Sequence, residues 1–115
     1  MTVVVRGGER GLDDLFLDRS LSDCWATHGF FGLSVFADPE GADLADLVRS
    51  TPLVRRRIVR LAEVARLREP GFEVAATFKN RRHFSIVLPD ASHETFAELR
   101  DCFGPPVENP GYDPG

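Results

Sequence analysis

Lysine is almost missing from this chain: of its fourteen basic residues only Lys79 is not arginine. That excludes a lysine-rich, non-specific cationic surface, and leaves positive charge on planar guanidinium forks suited to bidentate contacts. Cysteine is scarce too. Cys24 and Cys102 could pair only across most of the chain, so a disulfide-stapled scaffold is excluded and both are expected as thiols in a reducing cytoplasm. Long hydrophobic runs are absent, the longest mostly apolar stretch being Phe30 to Ala37, far short of the ~20 residues of a membrane helix. The start, Met1 to Arg6, lacks the basic, apolar and small-residue regions of a secretory signal. A cytoplasmic location without membrane contact is therefore expected. Net positive charge is lacking as well. At −4 and an isoelectric point near 5.3, the whole molecule does not attract nucleic acid, so any such contact must be local. Cys24, His28, His93 and Cys102 match no common zinc spacing, and neither metal nor cofactor is expected.

What the chain does contain is ordinary globular material: 115 residues, 43% hydrophobic and 28% charged, with nine phenylalanines to fill one core. Three consecutive valines before Gly7-Gly8 read as a buried strand closed by a turn. Ser20 is placed to cap a helix through Trp25 that Gly29 ends, while Glu9 to Arg19 fits either a short helix or an ordered loop. Phe31, Leu33, Val35 and Ala37 alternate as a second strand. Asp43 precedes a helix containing Leu44, Leu47 and Val48, which stops near Pro52. Arg57 to Leu61 alternates again, and Glu63 to Arg68 is helical before Pro70-Gly71.

Phe72, Val74, Ala76 and Phe78 share one face of the next strand, and Phe84, Ile86 and Leu88 share one face of the strand after it. These two strands read as a hairpin. Ser92 then caps a helix with Phe96, Leu99 and Phe103 on one stripe. The expected fold is α+β: a mixed sheet of about five strands, helices mainly on one face, and a C-terminal β-hairpin followed by a helix. Residues 1–104 form the domain, and 105–115 a Pro/Gly-rich tail.

Few motifs carry chemistry. Arg6 to Gly11 follows a strand as phosphate loops do, yet it has neither the Walker nor the dinucleotide spacing, and Asp13-Asp14 would oppose an anion. Gly32-Leu33-Ser34 matches only the first half of a nucleophile elbow. The acidic group Asp38, Glu40, Asp43 and Asp46 suits a helix start and needs no catalytic role.

The most informative feature is the hairpin tip Lys79-Asn80-Arg81-Arg82-His83, with Arg55-Arg56-Arg57, Arg60, Arg66 and Arg68 upstream. A local basic patch in an acidic protein suits phosphate binding. Lys79, Asn80, Arg81, Arg56 and Arg57 are the candidate nucleic-acid contacts. His83, which titrates near neutrality, and Arg82, which could stabilise negative charge, are the candidate catalytic pair. The same residues would also serve as a solvated loop paired with surplus carboxylates.

Arg6-Gly7-Gly8, His28 to Phe36, and Thr77 to Phe84 together resemble small uncharacterised proteins of actinobacteria and their mobile elements. The dominance of arginine, alanine and valine fits a GC-rich coding source. Arg6 at the end of the first strand and Ser34 on an aromatic strand are similar to ADP-ribosyltransferase-type toxins, although that family's glutamate motif has no counterpart here. Three functions are expected in descending order. The first is a toxin-like module acting on RNA as a metal-independent endoribonuclease. The second is a noncatalytic module that docks on a cognate protein, as an antitoxin, inhibitor or mobile-element accessory protein does. The third is a nucleotide-binding transferase using Arg6 and Ser34.

Overall fold

Successive residues of a strand point to opposite faces, so a run of buried valines requires apolar cover on both sides of a sheet. The computed structural model, which describes residues 2–41, 43–77 and 79–115, meets that requirement. Its elements are β1 (Val3–Gly7), α1 (Asp14–His28), β2 (Phe31–Phe36), α2 (Leu44–Arg49), a 3-10 turn (Pro52–Arg55), β3 (Ile58–Glu63), α3 (Val64–Arg68), β4 (Glu73–Ala76), β5 (His83–Leu88), α4 (His93–Cys102) and β6 (Val107–Glu108). Val4 enters one core with Leu17, Leu21, Leu67, Phe96 and Leu99, beneath α1, α3 and α4. Val5 enters the other with Leu47, Val48, Leu53 and Val59, beneath α2 and the 3-10 turn. Three of the four α-helices thus lie on one face, as expected, while α2 and the 3-10 turn cover the other.

The α+β class holds. The sheet has six strands in the order β4-β5-β2-β1-β3-β6, and every pairing is antiparallel where a mixed sheet of about five was expected. The sixth strand comes from the tail: Val107 and Glu108 pair with Val59 and Ile58. Asn109 behind them is buried and donates from Nδ2 to the carbonyls of Leu53 and Arg56. Residues 105–115 are thereby strapped to the domain.

The C-terminal hairpin forms as expected, with Val74 opposite Ile86 and Ala76 opposite Phe84; Val74 packs against the larger core, whereas Ala76, expected on the same inward face, is exposed. Phe72 and Ile86 are buried in the larger core; Phe78 lies outside the described residues. Helix α1 starts after Asp13 and not at Ser20, because Leu17 and Leu21, one turn apart, both bury against the sheet. Gly29 ends it at φ 79°, donating its N–H to the Trp25 carbonyl. Ser92 caps α4 as expected, accepting from the Thr95 N–H. No helix among the described residues is long and apolar enough to cross a membrane.

β1 and β2 are joined at one register pair, Val5 opposite Phe36. Continued antiparallel pairing would set Gly7 against Ser34, but the ladder stops. Arg6 spans the opening instead, donating from Nη1 to the Ser34 carbonyl at 2.9 Å and from Nε to the Gly11 carbonyl at 3.2 Å. A side chain replaces ladder hydrogen bonds, and two backbone acceptors are satisfied.

Candidate functional site

Because Leu33, Val35, Phe84 and Ile86 point into the larger core, their neighbours Ser34, His83 and Ser85 point the other way. The β2–β5 register brings them together by setting Ser34 opposite Ser85 and Phe36 opposite His83. The result is a polar chain along the sheet. His83 Nε2 lies 3.1 Å from Ser34 Oγ, His83 Nδ1 lies 2.8 Å from Thr77 Oγ1, and Thr77 Oγ1 lies 3.1 Å from Ser85 Oγ. The His83 ring also stands edge-on to Phe36 at 5.4 Å.

Burial holds the His83 pKa below the ordinary histidine value, with a hydrogen bond to the Thr77 backbone acting in the opposite direction. The imidazole is therefore neutral at pH 7, one nitrogen a donor and the other an acceptor. With Ser34 donating to Nε2, the Nδ1–H donates to Thr77 and Thr77 donates to Ser85. Such an arrangement fixes the ring and presents Nε2 as a base beside an exposed hydroxyl.

Two hollows meet at Ser34. One, of about 150 Å³, lies among Arg6, Gly7, Ser34, Phe36, Leu53 and Arg56. The other, of about 260 Å³, separates Ser20, Asp23, Thr27 and His28 of α1 from Ser34 and Ser85. Burial, followed by the neighbouring Arg56 charge, pushes the Arg6 pKa down to about 10. It remains a cation at pH 7, held beside another.

The sequence-derived candidates do not form a single patch. Arg82 turns away from the site: its Nη2 donates to Asp38 Oδ2 at 2.8 Å, and its Nη1 bonds the Ser50 hydroxyl. With the Asp38 side chain 3% exposed, this is a structural tether between the hairpin and the α2 region. Arg81 pairs with Glu40 at the surface, and Asn80 accepts the Arg82 N–H within the turn. Lys79 and Arg57 are exposed. Only Arg56 shares a hollow with Ser34 and Phe36, the two residues that His83 touches.

Thr77 and Ser85 had no signal in the sequence beyond their place on alternating strands. Arg6 and Ser34, singled out above for another reason, are brought into direct contact. In comparisons with known proteins, no family model, no curated protein and no solved structure matches the chain.

Proposed function

We propose that the chain cleaves RNA as a metal-independent endoribonuclease, with His83 as general base. The supporting observation is the His83 ring held between the Ser34 and Thr77 hydroxyls, with Ser34 opening onto a hollow that contains two arginines. In this reaction His83 Nε2 exchanges its contact with Ser34 for one with a ribose 2′-hydroxyl and accepts its proton. The 2′-oxygen attacks the adjacent phosphorus, the bond from phosphorus to the 5′-oxygen breaks, and the leaving oxygen is protonated from solvent. The products are a 2′,3′-cyclic phosphate and a 5′-hydroxyl end. An arginine beside the phosphate stabilises the added negative charge of the transition state, and Arg56 is the candidate contact nearest the base. Lys79 and Arg81 at the hairpin tip would hold flanking phosphates, with a steep salt dependence.

The test is incubation of purified protein with a structured and an unstructured RNA, with and without chelator, followed by analysis of the new ends. Cyclic phosphate ends formed in chelator, and lost in His83→Ala, are expected. No cleavage and no binding at low salt would overturn the reading. The noncatalytic alternative would then gain, since α1 exposes Leu15, Phe16 and Trp25 as apolar material for a cognate protein.

A further inference from the structure

Gly7 ends β1 where a side chain could not fit: a Cβ there would lie 2.8 Å from Arg56 Cγ and 2.9 Å from Leu53 Cδ2. The missing side chain lets the Arg56 stem lie against the strand end, and so brings a second guanidinium to the hollow that Arg6 already lines. Arg6 is fixed from the opposite side by its bonds to the Gly11 and Ser34 carbonyls. Those bonds use two of the five N–H donors of a guanidinium.

No carboxylate lines this hollow; its other walls are Gly7, Ser34, Phe36, Pro52 and Leu53. Six of the thirteen arginines have acidic partners, in Arg10–Asp13, Arg49–Asp46, Arg66–Glu69, Arg81–Glu40, Arg82–Asp38 and Arg100–Asp14. Arg6 and Arg56 form no ion pair among the described residues. Two like charges facing one small space repel, and an anion between them would convert that repulsion into two attractions. At about 150 Å³ the hollow is smaller than the roughly 300 Å³ at which drug-sized pockets begin, so it suits a single small group and not a whole nucleotide.

We propose that Arg6 and Arg56 form a binding site for one phosphate group, presented as free phosphate or as a phosphate ester. A tetrahedral oxyanion offers acceptors to both forks, and the planar guanidinium matches its edges. The Ser34 hydroxyl opens onto the same hollow and sits 3.1 Å from His83 Nε2, so a bound ester would lie next to the base. The anion site stands on the Arg6–Arg56 geometry; its role as the seat of the scissile phosphate rests on the ribonuclease reading above.

The experiment titrates isotope-labelled full-length protein with sodium phosphate at low ionic strength, following backbone amides by NMR. Saturable shifts centred on Gly7, Ser34 and Leu53 are expected. Arg56→Ala should weaken binding by roughly tenfold or more, whereas Arg57→Ala, one residue along and not lining the hollow, should change it by less than about twofold. Uridine 3′-monophosphate should compete with phosphate, uridine should not, and sodium acetate at matched ionic strength should bind more weakly. Shifts that never saturate, that centre on Lys79 and Arg81, or that persist unchanged in Arg56→Ala would overturn the site. RNA cleavage, assayed separately, distinguishes the two claims. Phosphate binding without cleavage leaves the anion site standing and removes the ribonuclease, and cleavage without phosphate binding does the reverse.

Discussion

Arg82 and Asp38, forty-four positions apart, form an ion pair at 2.8 Å with side chains only 17% and 3% exposed. Removing one partner of such a pair strands a buried charge, at a typical cost of about 3–5 kcal/mol. Arg82→Ala should therefore shift the urea unfolding midpoint sharply downward. Arg81→Ala, whose partner Glu40 is solvated, should cost less than about 1 kcal/mol. Equal effects of the two substitutions would refute the tether. The same comparison bears on catalysis: loss of activity in Arg82→Ala should come with loss of stability, while His83→Ala should lose activity with a melt close to the parent's.

Asn109 makes a second long-range tie, giving both Nδ2 hydrogens to the carbonyls of Leu53 and Arg56 and accepting the Gly111 N–H on Oδ1. Asn109→Leu keeps the volume roughly constant but leaves two backbone acceptors without this donor. The Leu53 carbonyl keeps the Arg56 N–H, so the groups left unsatisfied are the Arg56 carbonyl and the Gly111 N–H. At about 1–3 kcal/mol for each, the variant should lose about 2–6 kcal/mol of stability by denaturant titration. Because Arg56 is one of the two anchored residues, phosphate affinity should fall as well. A variant as stable as the parent would mean that the strap is held by its backbone hydrogen bonds, in β6 and from Asn109 and Asp113, without the Asn109 side chain.

The contrast between these ties and the hairpin shows what could be read from sequence. Alternation at Phe84, Ile86 and Leu88 is local, so strand, face and partner followed from neighbouring residues. Helix α2 was equally visible through Leu44, Leu47 and Val48, but its side of the sheet was not. The clue was the unbroken valine run, which demands apolar cover on both faces. Ser34 and His83 meet only because the β2–β5 register opposes Phe36 with His83, and a shift of one residue would turn every side chain to the other face. Arg56 looked like one member of an arginine run. Only the turn before it and the bare Gly7 backbone separate it from Arg55 and Arg57. The basic tip was legible as charge, whereas its neutralisation by Asp38 and Glu40 depended on contacts some forty residues away.

The two thiols should differ in reactivity. Cys24 is partly exposed on α1, while Cys102 is buried in α4 and donates to the Glu98 carbonyl at 3.3 Å. Burial also raises the Cys102 pKa, which lowers its thiolate fraction. With a thiol reagent at pH 8, one equivalent should react in the native protein and the second only on unfolding, without prior reduction. Simultaneous reaction of both in native conditions would show that the α4 face opens readily.

The pH dependence follows from His83. Burial favours its neutral form and holds its folded pKa below the unfolded value near 6.5. Between these two values the unfolded chain binds more protons than the folded one, so stability rises with pH across that window and is flat on either side with respect to this group. The contribution is complete above pH 6.5 and is lost as pH falls through the folded pKa. A general base acts in the same neutral form, so the rate of RNA cleavage should also climb through the depressed pKa and reach its plateau at a lower pH than an ordinary histidine would give. His83→Gln should flatten both profiles: the slope of the denaturation midpoint below pH 6.5 should shrink, and cleavage should fall by roughly a hundredfold or more at its plateau. The pKa itself should be read from the His83 ring resonances by NMR. A His83 value at or above 6.5, or a cleavage plateau first reached well above neutrality, would remove His83 as the base.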